Sequence, residues 1–130
     1  MDVLSHLLYG LSVAAQPMNI LFCFIGVFIG TLIGVLPGIG PVATISLLLP
    51  TTFAISPVTA IIMLAGIYYG AQYGGSTTSI LVNIPGEGSS VPTCFDGYPM
   101  TKQGRAGQAL WIAAVGSFIA GTLGCIMISL

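Results

Sequence analysis

The chain has 130 residues, 55% of them hydrophobic and only 4% charged, with a formal net charge of −1. A soluble domain carries roughly 25% charged residues and a nucleic-acid binder needs a basic patch, so both classes are excluded. Asp2, Glu87, Asp96, Lys102 and Arg105 are the only charges, none falls within 3–86 or 106–130, and at about 20 residues per crossing the length allows roughly four membrane segments.

Met1-Asp2 puts a negative charge where a signal peptide carries its basic region, and no small-x-small cleavage pattern follows. Targeting is therefore expected through uncleaved helices. Residues 2–16 place Leu4, Leu7, Leu8, Leu11 and Ala15 at helical spacing, with Asp2 able to cap the first turn and Pro17 ending the run. The pattern predicts an amphipathic segment, 1–17, lying at the membrane interface. His6 reads as a polar interfacial residue rather than a proton relay.

A transmembrane domain is expected over 18–130. Its first spanning helix is 18–36, nineteen residues or about 28 Å at a helical rise. Gly26, Gly30, Gly34 and Gly38 recur every fourth residue and predict a face for close helix packing. Pro37-Gly38-Ile39-Gly40-Pro41 cannot be helix interior. Residues 42–49 restart a helix that Pro50-Thr51-Thr52 interrupts. That piece is too short to cross alone, so a re-entrant hairpin or broken helix is predicted, offering the N–H groups of Val42, Ala43 and Thr44.

Ser56-Pro57 is a helix start, and a helix is predicted over 57–73, with Gly66, Gly70 and Gly74 again every fourth. Tyr68, Tyr69 and Tyr73 near its end read as interfacial anchors or as donors to a solute. A hydroxyl cluster follows, Ser76 to Ser79, then the apolar run 80–82 and a break at Asn83-Ile84-Pro85-Gly86. Pro-Gly-x-Gly thus occurs twice, at 37–40 and 85–88. Paired interruptions between hydrophobic spans point to the discontinuous helices of a transporter site, since such backbone survives at membrane depth only inside protein or against a water-filled cavity. Residues 86–105 read as a polar loop whose Lys102 and Arg105 lean it toward the cytoplasm, and 106–130 is long enough to span with tilt. The fold expected is an all-α polytopic membrane protein, a transporter half with broken or re-entrant helices at the two Pro-Gly motifs. Leu130 lies inside an apolar run, which suggests part of a longer protein.

No catalytic set is visible, and no enzyme is expected. Glu87 and Asp96 sit on a Gly/Pro-rich stretch rather than on opposed helices, and GEGSS lacks the lysine of a phosphate-binding loop. Cys23, Cys94 and Cys125 have no zinc or redox spacing and read as packing residues. What remains is a set of neutral groups. The hydroxyls of Ser76, Thr77 and Thr78 and the Asn83 amide can donate to carboxylates, and carbonyls freed near Pro37 and Pro85 can coordinate Na⁺. The plainer reading of the hydroxyls is back-bonding to their own helix.

GVLPGIGP at 34–41, LLLPTTFAISP at 47–57 and IYYGAQYGGSTTSILVNIPGEGSSVPTCFDGYPMTKQGRAGQAL at 67–110 resemble the large permease subunit of tripartite tricarboxylate transporters, the TctA family. The resemblance implies a multi-pass permease of the bacterial inner membrane, a secondary transporter expected to be Na⁺-coupled and to need no other cofactor. It implies two partners, a small four-helix membrane subunit and a periplasmic solute-binding protein. Citrate and other tricarboxylates or dicarboxylates would be the solutes. By the same resemblance Pro37, Gly38 and Gly40 fall in a first Pro-Gly motif and Ser76, Thr77, Thr78, Asn83, Pro85 and Gly86 in a second, and a substrate-binding role is expected of these nine. A channel-type subunit or a purely structural membrane subunit is the alternative.

Overall fold

The computed structural model describes residues 3–129, all of whose regular structure is helical: α1 Val3–Ala14, α2 Pro17–Gly34, α3 Pro41–Leu48 continued by a 3-10 segment Leu49–Ala54, α4 Pro57–Val82, a 3-10 turn Gly88–Ser90, α5 Val91–Lys102 and α6 Ala106–Ser129. The proposed Asp2 cap of α1 lies outside the described residues. Two helices, α2 and α6, are long and apolar enough to cross a membrane.

Burial is inverted relative to a water-soluble protein. Asn19, Thr44, Thr52, Thr59, Thr78, Ser79 and Ser90 are buried, while Phe24, Phe28, Leu32, Trp111, Phe118 and Met127 stand exposed. Hydrocarbon gives no reward for hiding apolar side chains, and it penalises an unpaired polar one, so polar groups turn inward.

The frame is the pair α2–α4. Gly26, Gly30 and Gly34 bury against the backbone of Met63, Ile67 and Ala71, and Gly66, Gly70 and Gly74 against that of Cys23, Val27 and Thr31. A methyl group added at Gly30 would stand 2.9 Å from Ile67 Cα, and one at Gly74 2.6 Å from Thr31 O. Both series rise together, so the two helices run parallel. Gly38 does not continue the α2 face; it lies beyond the helix with φ +85°.

Each end of the pair carries a polar clasp. At the start, Thr59 Oγ1 donates to Asn19 Oδ1 at 2.6 Å and Asn19 Nδ2 donates to Val13 O at 2.7 Å, which also ties α1 in place. At the far end, Thr78 Oγ1 donates to Val35 O at 2.9 Å. Because α2 and α4 are parallel, 35–56 must lead the chain back along the pair, and α3 with its 3-10 extension is that return.

The helix expected over 57–73 continues nine residues further, through the hydroxyl cluster, to Val82. Gly34 packs between Ala71 and Gly74, so residues 75–82 carry α4 about 12 Å past the end of α2. The stretch 86–105, expected as loop, holds α5, and Asp96 is a helical residue. Pro92 sits in its first turn, where a missing N–H costs nothing. Gly97 lies against the Ile80 side chain, and Thr101 Oγ1 donates to Ile80 O at 2.7 Å. Gly104, φ +76°, closes α5: its N–H reaches Thr101 O at 3.0 Å and the Arg105 N–H reaches Met100 O at 2.9 Å. Then α6 returns antiparallel to α4, with Tyr73 Oη donating to Leu110 O at 3.5 Å and Tyr69 lying against Gly121.

Candidate functional site

Past the end of α2, the overhanging turns of α4 meet both Pro-Gly bends. Asn83 stops α4 in the left-handed conformation, φ 60° and ψ 30°, which asparagine tolerates better than most residues. Pro85-Gly86 then folds the chain back until Gly86 rests on the backbone of Gly75. In that position Gly86 O accepts a hydrogen bond from the Gly38 N–H at 3.1 Å. The two Pro-Gly motifs, far apart in sequence, are thereby joined through main chain alone. Gly40 caps α3 in an extended conformation, and the Glu87 side chain covers it, with Oε2 3.4 Å from where a Cβ on Gly40 would stand.

The nine residues expected to bind solute are distributed as follows. Gly38 and Gly86 touch, Gly40 lies beneath Glu87, and Pro37 and Pro85 are exposed in the two bends. Thr78 is buried and clasps Val35 O. Ser76 and Thr77 are half-buried, their hydroxyls donating to Gln72 O at 3.1 Å and Tyr73 O at 2.9 Å. Ser79, also buried, bonds Gly75 O at 2.9 Å. Asn83 is exposed. Of the three N–H groups expected at the start of α3, that of Thr44 is spent on Gly40 O at 3.1 Å, because Gly40 already acts as the helix cap. Val42 and Ala43 keep the first-turn donors, which a helix cannot pair internally.

A polar string extends from the junction along α4. Ser89 Oγ lies 2.8 Å from Glu87 Oε1 and 3.3 Å from Gln72 Oε1, and Gln72 Nε2 donates to Tyr68 Oη at 3.2 Å. Tyr68, Tyr69, Gln72, Tyr73, Ser76 and Ser117 line a recess of about 230 Å³ between α4 and α6. A larger apolar groove of about 570 Å³ lies beside it between α2, α4 and α6. Neither basic side chain joins the string. Lys102 sits over the Tyr98 ring, 5.0 Å from its centroid, and Arg105 Nε donates to Gln108 Oε1 at 2.7 Å. Among the described residues, no group of three or more His, Cys, Asp or Glu could hold a metal ion. The sequence reading passed over Gln72, although it is the one side-chain amide between Asn19 and Asn83, and an amide in so apolar a run is signal enough.

Comparison with known proteins gives a consistent answer. Residues 20–130 match the family model described as "Tripartite tricarboxylate transporter TctA family". A protein of Agrobacterium vitis, described as "Uncharacterized 52.8 kDa protein in TAR-I ttuC' 3'region", is 61% identical over all 130 residues, which cover 26% of its length. The chain thus spans about a quarter of that relative. No solved structure matches. With the match covering most of its length and both Pro-Gly bends inside it, the chain belongs to the tripartite tricarboxylate transporter TctA family, a family of membrane transporters and not of enzymes.

Proposed function

We propose that the chain is part of the permease of a Na⁺-coupled secondary transporter for tricarboxylates or dicarboxylates such as citrate, and that the solute is met where the two Pro-Gly bends join. The complete protein would sit in the bacterial inner membrane with a small four-helix subunit and receive solute from a periplasmic binding protein. The observation that carries this reading is the Gly38–Gly86 hydrogen bond at 3.1 Å, which holds two helix interruptions together at the start of α3. Helix starts and hydroxyls attract a carboxylate without a fixed positive charge. An arginine at mid-membrane would cost about 2.5–3.5 kcal/mol or more and would hold a multiply charged anion against release.

A structural role is the second reading, favoured by one observation. The hydroxyl protons of Ser76, Thr77 and Thr78 all go to main-chain carbonyls, so these side chains are left to offer a solute their lone pairs rather than donors. Uptake of labelled citrate by the full-length permease with its partners separates the two. Thr77→Val and Asn83→Gly, the latter removing the amide from a residue held at φ 60° without backbone strain, are expected to lower uptake while thermal stability stays unchanged. Unchanged uptake in both variants refutes the site, and loss of stability alongside uptake supports the structural role. Na⁺-independent conductance would instead mark a channel.

A further inference from the structure

Glu87 has no role in the reading above, yet it is the carboxylate at the junction. One of its oxygens covers Gly40, the cap of α3. The other shares the Ser89 hydroxyl with Gln72 Oε1, at 2.8 and 3.3 Å. Gln72 turns its oxygen to this cluster because its amino group is engaged by Tyr68. The Glu87 carboxylate also accepts the Ser90 N–H, which caps the turn Gly88–Ser90. Three side-chain oxygens, those of Glu87, Ser89 and Gln72, therefore converge around one hydroxyl, with one carboxylate among them and with Lys102 and Arg105 engaged elsewhere. An unneutralised carboxylate over the first turn of α3 opposes the entry of any anion there, since like charges at such range repel.

We propose that Glu87, Gln72 and Ser89 form a site for a monovalent, oxygen-seeking cation, Na⁺ in the first instance, whose charge admits the solute carboxylate to α3. This rests on the reading under Proposed function. Oxygens 2.8 and 3.3 Å apart can close together on a cation with ligand distances of about 2.3–2.6 Å, those of an ion of calcium size, which Na⁺ matches. One carboxylate supplies one charge, which favours a monovalent ion. Water or the solute completes the shell. Coupling follows without a moving part: the cation cancels Glu87, and only then is the start of α3 attractive to an anion.

The test uses the full-length permease with its partner subunits. Its thermal midpoint is followed in NaCl against choline chloride at constant ionic strength without carboxylate, and citrate uptake is titrated with Na⁺ in proteoliposomes. Glu87→Gln is expected to raise half-saturating Na⁺ by about tenfold or more in both measurements, because the charged ligand is lost. Ser89→Ala should raise it less, Glu87→Asp should recover part of the loss, and Asp96→Asn, on α5, should match wild type. Wild-type Na⁺ half-saturation in Glu87→Gln overturns the site. Should that variant not fold, wild-type half-saturation in Ser89→Ala and Gln72→Leu does the same. Na⁺ stabilisation that Glu87→Gln abolishes, in a protein that takes up no citrate, upholds the cation site and sinks the solute assignment. Citrate uptake whose Na⁺ dependence ignores Glu87 does the reverse.

Discussion

Gly30→Ala tests the frame of the molecule. A methyl group there would stand 2.9 Å from Ile67 Cα and 3.0 Å from Ile67 C, with the Ile67 carbonyl oxygen nearer still. Ordinary carbon–carbon contact is about 3.5–4.0 Å, so α2 and α4 must part by about 0.6–1.1 Å. All of these are backbone atoms, and no side chain can swing aside. A gap of that size forfeits about a quarter to a half of the dispersion attraction at each neighbouring glycine contact, and overpacking of this kind costs about 1–3 kcal/mol. Alanine is favoured over glycine in a helix by about 1 kcal/mol, but that gain cancels in lipid, where helices exist before they associate. The variant should therefore unfold more readily in detergent, by about 1–3 kcal/mol, in a thermal or denaturant titration. Gly116→Ala is the control, since nothing lies within 4 Å of its added methyl. Equal stability of the two variants would refute the parallel glycine pair.

Asn19→Ala should cost about 1–3 kcal/mol, because it removes two hydrogen bonds at about 0.5–1.5 kcal/mol each and leaves the buried Thr59 hydroxyl only Ser56 and the Val13 carbonyl only the Gln16 N–H. A double-mutant cycle with Thr59→Val checks it: the second substitution should cost little once the first is made. Gly86→Ala puts a methyl 3.2 Å from Gly75 C and 3.3 Å from Gly75 O, pushing the 83–88 bend off α4. Fluorescence melting should show a loss of about 1–3 kcal/mol, and under the proposed function citrate uptake should fall further than stability alone explains.

The glycine periodicity named both faces of the α2–α4 pair, and the prolines marked both helix breaks, since each rests on a local rule. What the sequence hid is tertiary. Nothing local says that 35–56 leads back along the pair, so neither the parallel arrangement nor the meeting of Gly38 with Gly86 was legible. The continuation of α4 was missed because Gly74, Gly75 and the run Ser76–Ser79 are poor helix formers in water. Away from water each hydroxyl finds a carbonyl four residues back, Thr78 sharing its proton between that carbonyl and Val35 O, and those bonds keep the helix intact. Helix α5 was obscured by Pro92, Gly97 and Pro99. The first fits a helix start, the second makes room for Ile80, and only Pro99 stands inside the helix against the usual rule.

The α2–α4 pair is pinned at both extremities, by Asn19 with Thr59 and by Thr78 with Val35. Glycine faces alone would let two rods slide past one another with little resistance, and these pins forbid it. The pair is consequently a fixed post, and any rearrangement during a transport cycle falls to the pieces leaning on it. Helix α6 leans through Tyr69 and Tyr73, and α3 hangs from the Gly38–Gly86 joint. A spin label on either should report motion relative to α4, while a pair of labels across α2 and α4 should hold a constant separation.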